Sequence, residues 1–133
     1  KLLDGNGFRD AGDTSQHIRG SDRSTKNGWL AYDDIVKMTG EVRGRVGEIT
    51  AAGEIPLVLG GCCTLVPAVL AGARDTYGEI GLAYFDGHLD LFTGNSSPTG
   101  EGADMPVAAT LGMAPPELLH EIGHTPVIAP QRI

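Results

Sequence analysis

Through the middle of the chain, apolar residues recur with the period of a helix. Ile35, Thr39, Val42, Val46 and Ile49 follow one another at spacings of four, three, four and three, the stripe that an amphipathic helix buries. Asp33 or Asp34 is placed to cap its start and Gly53 to end it, because side-chain oxygens cap N-termini and glycine tolerates the left-handed C-terminal turn. Gly40, Gly44 and Gly47 weaken this helix without breaking it. The period then changes. Pro56-Leu57-Val58-Leu59, closed by Gly60-Gly61, is the short apolar run of a buried parallel strand, and Ile80 to Phe85 is a second. Leu65 to Arg74 reads as a helix between them, with Thr64 as N-cap and Pro67 confined to its first turn. Residues 1–27 read as loop with a short strand around Leu2-Leu3, and residues 91–101 as a polar loop. Met105 to Leu111 and Pro115 to Ile122 predict two more helices, and Val127-Ile128 a third buried strand. Strands alternating with helices over short links predict one α/β domain over 1–133, a parallel sheet layered between crossover helices.

Composition narrows the class. With 133 residues the chain can bury one core, and 41% apolar with 20% charged residues belongs to globular proteins. A net charge of -7 excludes non-specific nucleic-acid binding, which needs a basic surface, and repels anionic membranes. No apolar run reaches membrane-spanning length and no signal segment opens the chain; the expectation is a soluble, cytoplasmic protein. Cys62 and Cys63 are neighbours. Adjacent Cα atoms lie about 3.8 Å apart, short of the roughly 4.4–6.8 Å of a disulfide, so no bridge between them is expected. The chain opens at Lys1 without methionine and stops just after the apolar run Pro126 to Ala129. Both ends read as cut.

The densest chemistry is Asp86-Gly87-His88-Leu89-Asp90, directly after the run ending at Phe85. In an extended backbone, positions i, i+2 and i+4 share a side, so Asp86, His88 and Asp90 would converge. Two carboxylates and an imidazole suit Mn²⁺, Fe²⁺ or Zn²⁺, and the end of a parallel strand is where open α/β sheets hold ligands. The plainer alternative is a solvated loop in which Asp and His cap a helix. Cys63, after Gly60-Gly61, stands where its thiol could reach the same point; against that, free cysteines usually only pack. A rival motif is His120-Glu121-Ile122-Gly123-His124, the His-Glu-x-x-His pattern of zinc peptidases. Pro126 disfavours helix at Thr125, and no third ligand follows; otherwise the segment is an amphipathic helix with solvated histidines. His17, in a polar loop, reads as solvated.

Three segments together resemble the ureohydrolase family of arginases and agmatinases. Gly60-Gly61-Cys62-Cys63-Thr64 is similar to that family's Gly-Gly-Asp-His-Ser, and Tyr84 to Asp90 to its apolar strand followed by Asp-Ala-His-Ala-Asp. Ser97 to Pro106 resembles its substrate loop. The match runs in register from about Asp33 to Thr110. The resemblance implies an arginase-like three-layer fold and two divalent cations, typically manganese, that activate water to attack a guanidinium carbon and release urea. It implies Asp86, His88 and Asp90 as metal ligands, Cys63 at the position of a histidine ligand, and Thr99 and Glu101 on a small guanidino or amidino substrate. It also implies a homo-oligomer. Catalytic residues stay unassigned. The sequence departs from the family at Cys62, where an acidic residue is usual, at Ala103 in place of a proton-shuttling histidine, and at Glu101 in place of an asparagine. The later Ser-x-Asp-x-Asp ligand motif is absent from the 133 residues. A second reading follows from these departures: a ureohydrolase-fold binding or assembly subunit without catalysis.

Overall fold

Helix α1, Tyr32–Ala51, forms where the apolar stripe predicts it. The computed structural model describes residues 7–133, so the strand expected around Leu2-Leu3 lies outside the described residues. Ile35, Thr39, Val42 and Val46 of the stripe are buried together with Met38 and Thr50, while Ile49 is half-buried. Gly53, at φ 76°, ends the helix as expected: its N–H donates to the Thr50 carbonyl and that of Glu54 to Ile49. The start differs from expectation. The N-cap is Ala31 in the left-handed region, with no side-chain cap. The Asp34 carboxylate instead accepts the backbone N–H groups of Arg19 and Gly20, at 2.8 and 2.9 Å. Residues 9–20 are further strapped to α1 by the N–H groups of Ser15 and Gln16 on Glu41, and to the turn after it by Arg9 on Glu54.

Helix α2, Val66–Tyr77, follows a 3-10 turn at Cys63–Leu65, with Pro67 in the first helical turn where its missing N–H costs nothing. Thr64 does not cap it; its hydroxyl accepts the Cys62 thiol at 2.9 Å. The two long helices cross where Gly72 meets α1. A Cβ there would lie 2.5 Å from the Arg43 carbonyl and 2.8 Å from the Val46 Cβ, so only glycine permits the approach. Below the crossing, Trp29, Ile35, Ala71, Met105, Leu118 and Ile122 share a core with α3, Pro106–Thr110, and α4, Pro116–Ile122. Polar ties close the assembly. Arg43 donates to both Asp75 oxygens and to the Glu121 carbonyl, and His124 pairs with Asp75 at 2.7 Å.

The parallel sheet expected from the apolar runs does not form among the described residues. Their single β-bridge is the antiparallel pair Arg23 and Leu30. Among the described residues no backbone hydrogen bond joins Pro56–Leu59 to another segment, and Leu57 and Leu59 are 55% and 79% exposed. In the run from Ile80 to Phe85, the Leu82 N–H donates to the Arg132 carbonyl, and Phe85 is 96% exposed. A strand exists only through a neighbour that pairs with it, which an apolar run does not specify. Val127 and Ile128 are buried but are held otherwise. The Val127 N–H donates to Thr110, and Arg74 caps the carbonyls of Pro126 and Val127.

Two glycine substitutions should act with opposite signs. Gly44 lies on the exposed side of α1 with nothing within 4 Å of an added Cβ, so Gly44→Ala should stabilise by up to about 1 kcal/mol through helix propensity. Gly72→Ala gains the same propensity but forces α1 and α2 apart, and overpacking of this kind costs about 1–3 kcal/mol. Chemical denaturation of both variants checks this, and equal shifts would refute the close crossing.

Candidate metal centre

Three local features bring side chains to one point. The 3-10 turn before α2 presents Cys63, half-buried. At Asp86 the chain bends: the side chain accepts the His88 N–H at 2.9 Å, and Gly87 and His88 form the bend. Asp90 then takes φ 50°, a left-handed conformation that Asp tolerates better than most residues, and its carbonyl accepts the N–H groups of Val107 and Ala108 at 3.1 and 3.2 Å. The first turn of α3 is thereby tied to Asp90. Ligand atoms of Cys63, Asp86 and Asp90 lie within 4.8 Å of one another.

The convergence expected of Asp86, His88 and Asp90 is thus reached by the two carboxylates, with the Cys63 thiol as third member. The backbone is bent, not extended, through Gly87 and His88, so strand alternation does not apply. The His88 ring, 86% exposed, stands outside the group with Nδ1 3.3 Å from an Asp86 oxygen.

Electrostatics follow the geometry. Asp86 is held below the usual carboxylate range, chiefly by the His88 N–H and then by the Cys63 thiol, against some desolvation. The Cys63 thiol donates to Asp86 at 3.6 Å. Burial pushes that thiol up, the Tyr84 hydroxyl lowers it, and the charges of Asp90 and Asp86 raise it again. Tyr84, which sequence reasoning missed as a site residue, donates its hydroxyl to buried Asp90 and is itself pushed well above its ordinary value by burial and that bond. Tyr84 shares the parity of Asp86 and Asp90, but in an extended backbone it would stand far from Asp90; the bend and the left-handed Asp90 bring it back onto the carboxylate.

The polar loop beside the centre is tightly held. Arg23 donates to the carbonyls of Gly28, Gly94, Ser97 and Pro98. Ser97 and Thr99 hydroxyls both donate to one Asp104 oxygen, at 2.7 and 2.6 Å. Thr99 therefore faces Asp104, while Glu101 is exposed and its N–H donates to the Thr99 hydroxyl. Asp104 is a second residue that sequence reasoning did not select; the cluster of short hydroxyl residues before it is the readable signal. The rival motif comes apart. α4 ends at Ile122, Gly123 turns left-handed at φ 74°, His120 is 86% exposed beside Glu121, and His124 is engaged by Asp75. Two histidines share a helical face only while the helix continues, and here it stops between them.

The arginase family model matches residues 3–129. An arginase of Bacillus caldovelox is 36% identical over 88 residues, which is 66% of this chain and 29% of that protein. An arginase of Brevibacillus brevis is 34% identical over 101 residues, 76% of this chain and 34% of that one. Among solved structures, arginase from Bacillus subtilis superposes with a TM-score of 0.81 at 27% identity, covering 93% of this chain and 41% of its own. The native Bacillus caldovelox enzyme gives a TM-score of 0.75 at 30% identity, covering 87% and 37%. The chain belongs to the arginase family, whose members are hydrolases with an α/β fold. It spans about a third of the length of the curated relatives it matches.

The loop makes a checkable statement about acid. The hydroxyls of Thr99 and Ser97, with a smaller contribution from the charge of His88, hold the Asp104 carboxyl below its usual range against some desolvation. Its contribution to stability is therefore fully present above the unfolded carboxylate pKa of about 3.9, and is lost as pH falls through the depressed folded value. Thr99→Val should move the Asp104 titration, followed by carboxyl NMR, back toward the ordinary value. An unmoved titration would refute the assignment of that bond as the main cause.

Proposed function

We propose that this chain carries the first half of the metal centre of a ureohydrolase, a hydrolase of linear C–N bonds in a guanidino or amidino compound that releases urea. The observation that carries it is the convergence of Cys63, Asp86 and Asp90, at motifs similar to the family's ligand segments. The donor set fits one divalent cation: two ligands about 2.2 Å from a tetrahedral ion are about 3.6 Å apart, and the Cys63 sulfur lies 3.6 Å from Asp86. Asp86, Asp90 and Cys63 would hold it, with His88 beside Asp86 as a further donor. Manganese, in pairs, is the family expectation. Such a cation supplies Lewis acidity, lowering the pKa of water and neutralising developing charge.

The chain's own residues shape what can bind. Tyr84 fixes the orientation of Asp90 through its hydroxyl. The loop held by Arg23 carries Thr99 and Glu101, the residues that the family resemblance puts on the substrate. Glu101 places a carboxylate where the family's asparagine would meet the amino-acid end of arginine. Two like charges 4 Å apart repel by about 1 kcal/mol in water and about 4 kcal/mol at an effective dielectric near 20; exposure of Glu101 favours the lower figure. Ala103 can move no proton, so protonation of the leaving amine falls to solvent or another group. General acid help is worth about 10²–10⁴-fold. No helix among the described residues is long and apolar enough to cross a membrane; a cytoplasmic homo-oligomer is part of this reading.

The whole protein, supplied in turn with Mn²⁺, Co²⁺ or Zn²⁺, should release urea from a guanidino compound lacking an α-carboxylate faster than from arginine. Glu101→Asn should narrow that gap by about fivefold, the equivalent of about 1 kcal/mol. Arginine turning over fastest overturns the specificity. No metal-dependent urea release from arginine, agmatine or guanidino acids favours the silent binding subunit. A separate check is metal content by elemental analysis. It should fall in Asp86→Ala, His88→Ala and Asp90→Ala and stay unchanged in His120→Ala and His124→Ala; the reverse pattern restores the peptidase motif.

A further inference from the structure

The donors assembled here differ in kind from the two carboxylates and an imidazole that the sequence motif alone would gather. The third member of the group is sulfur. Cys63 is held in place by the turn that opens α2, and its sulfur lies 3.6 Å from Asp86, a separation that two ligands of one small cation already have. The neighbouring Cys62 thiol is turned away onto Thr64, so one sulfur, not two, faces the carboxylates. The His88 ring, exposed and outside the group, does not take that third position. Hard cations such as manganese prefer oxygen and imidazole, whereas thiolate ligands select softer metals. Three grouped protein donors leave the fourth position of a tetrahedral ion to the nearby His88 ring, to water or to substrate.

We infer that Cys63 makes this centre selective for a thiophilic divalent cation of the zinc and cobalt kind, against the manganese usual in the family. The inference rests on the reading of Cys63, Asp86 and Asp90 as a metal centre and adds the identity of the metal. On binding, the sulfur–metal bond forms as the thiol proton passes to solvent; no electron changes hands.

The test is spectroscopic and needs no turnover. Co²⁺ added to the metal-free protein should produce a sulfur-to-metal charge-transfer band in the near ultraviolet, and Cd²⁺ a corresponding band further into the ultraviolet. Both should vanish in Cys63→Ser and persist in Cys62→Ser. Because nearly all N, O and S sites prefer zinc to manganese to some degree, the second readout is a change of ratio. The Zn²⁺-to-Mn²⁺ affinity ratio, from competition dialysis, should fall at least about tenfold in Cys63→His, a difference of about 1.4 kcal/mol. Co²⁺ bound without a charge-transfer band, or an unchanged ratio, overturns the selectivity and leaves the carboxylate centre standing. Failure of the unmodified protein to bind Co²⁺, Zn²⁺ or Mn²⁺ overturns the metal centre and the inference together. The Co²⁺ spectrum of the unmodified protein decides the role of sulfur even where a Cys63 variant fails to fold.

Discussion

Gly72 lies against the backbone of α1 with no room for a methyl group, and much of the architecture follows from that contact. It sets how closely α2 approaches α1, and therefore where the turn before α2 must stand. Cys63 is the first residue of that turn. Arg43 and Asp75 brace the same crossing from the polar side, and Arg43 also reaches the end of α4 through the Glu121 carbonyl. Such a half-exposed pair stabilises modestly by itself. Its value here is geometric, because one guanidinium joins three helices.

Local signals were the legible part of the sequence. The stripe from Ile35 to Ile49 located α1 to within three residues of its bounds, and Gly53 ended it by the left-handed turn that glycine allows. Pro67 falls in the first turn of α2, as its missing N–H requires. The strands expected at 56–59 and 80–85 find no pairing partner among the described residues, for a different reason. Apolar runs at 56–59 and 80–85 announce burial, but burial and pairing are both supplied by other parts of a fold, and neither is written in the run itself. Val127 and Ile128 show the distinction most clearly: the apolar prediction of burial holds for them, while their polar groups are satisfied by Thr110 and by Arg74.

The candidate centre was legible in its residue types more than in its geometry. Asp86, Asp90 and Cys63 could be named from motif and spacing, yet the argument from an extended backbone was not the one the chain uses. Asp86 accepts the His88 N–H and bends the backbone, and Asp90 bends it again. Tyr84 lies in the same alternating register, but its bond to Asp90 depends on those bends, and Asp104 depends on the closing of the loop from Ser97 to Asp104. Asp34 was misread for a related reason: an acidic residue at a helix start is an ordinary cap, and only the path of Arg19 and Gly20 past α1 makes it something else.

Each of the three grouped donors is fixed by an interaction that owes nothing to strand pairing. Cys63 is set by the start of α2, Asp86 by its bond to the next residue but one, and Asp90 by carrying the first N–H groups of α3 on its carbonyl. A helix N-terminus has unsatisfied N–H groups, so the bond to Asp90 stabilises α3 and orients the site at once. The donors can therefore hold their relative positions while residues 56–59 and 80–85 lie irregular on either side. His88 has no such anchor. Its backbone is fixed by the turn, but its ring is exposed beside Asp86, so its position is the one that binding of a cation is free to decide.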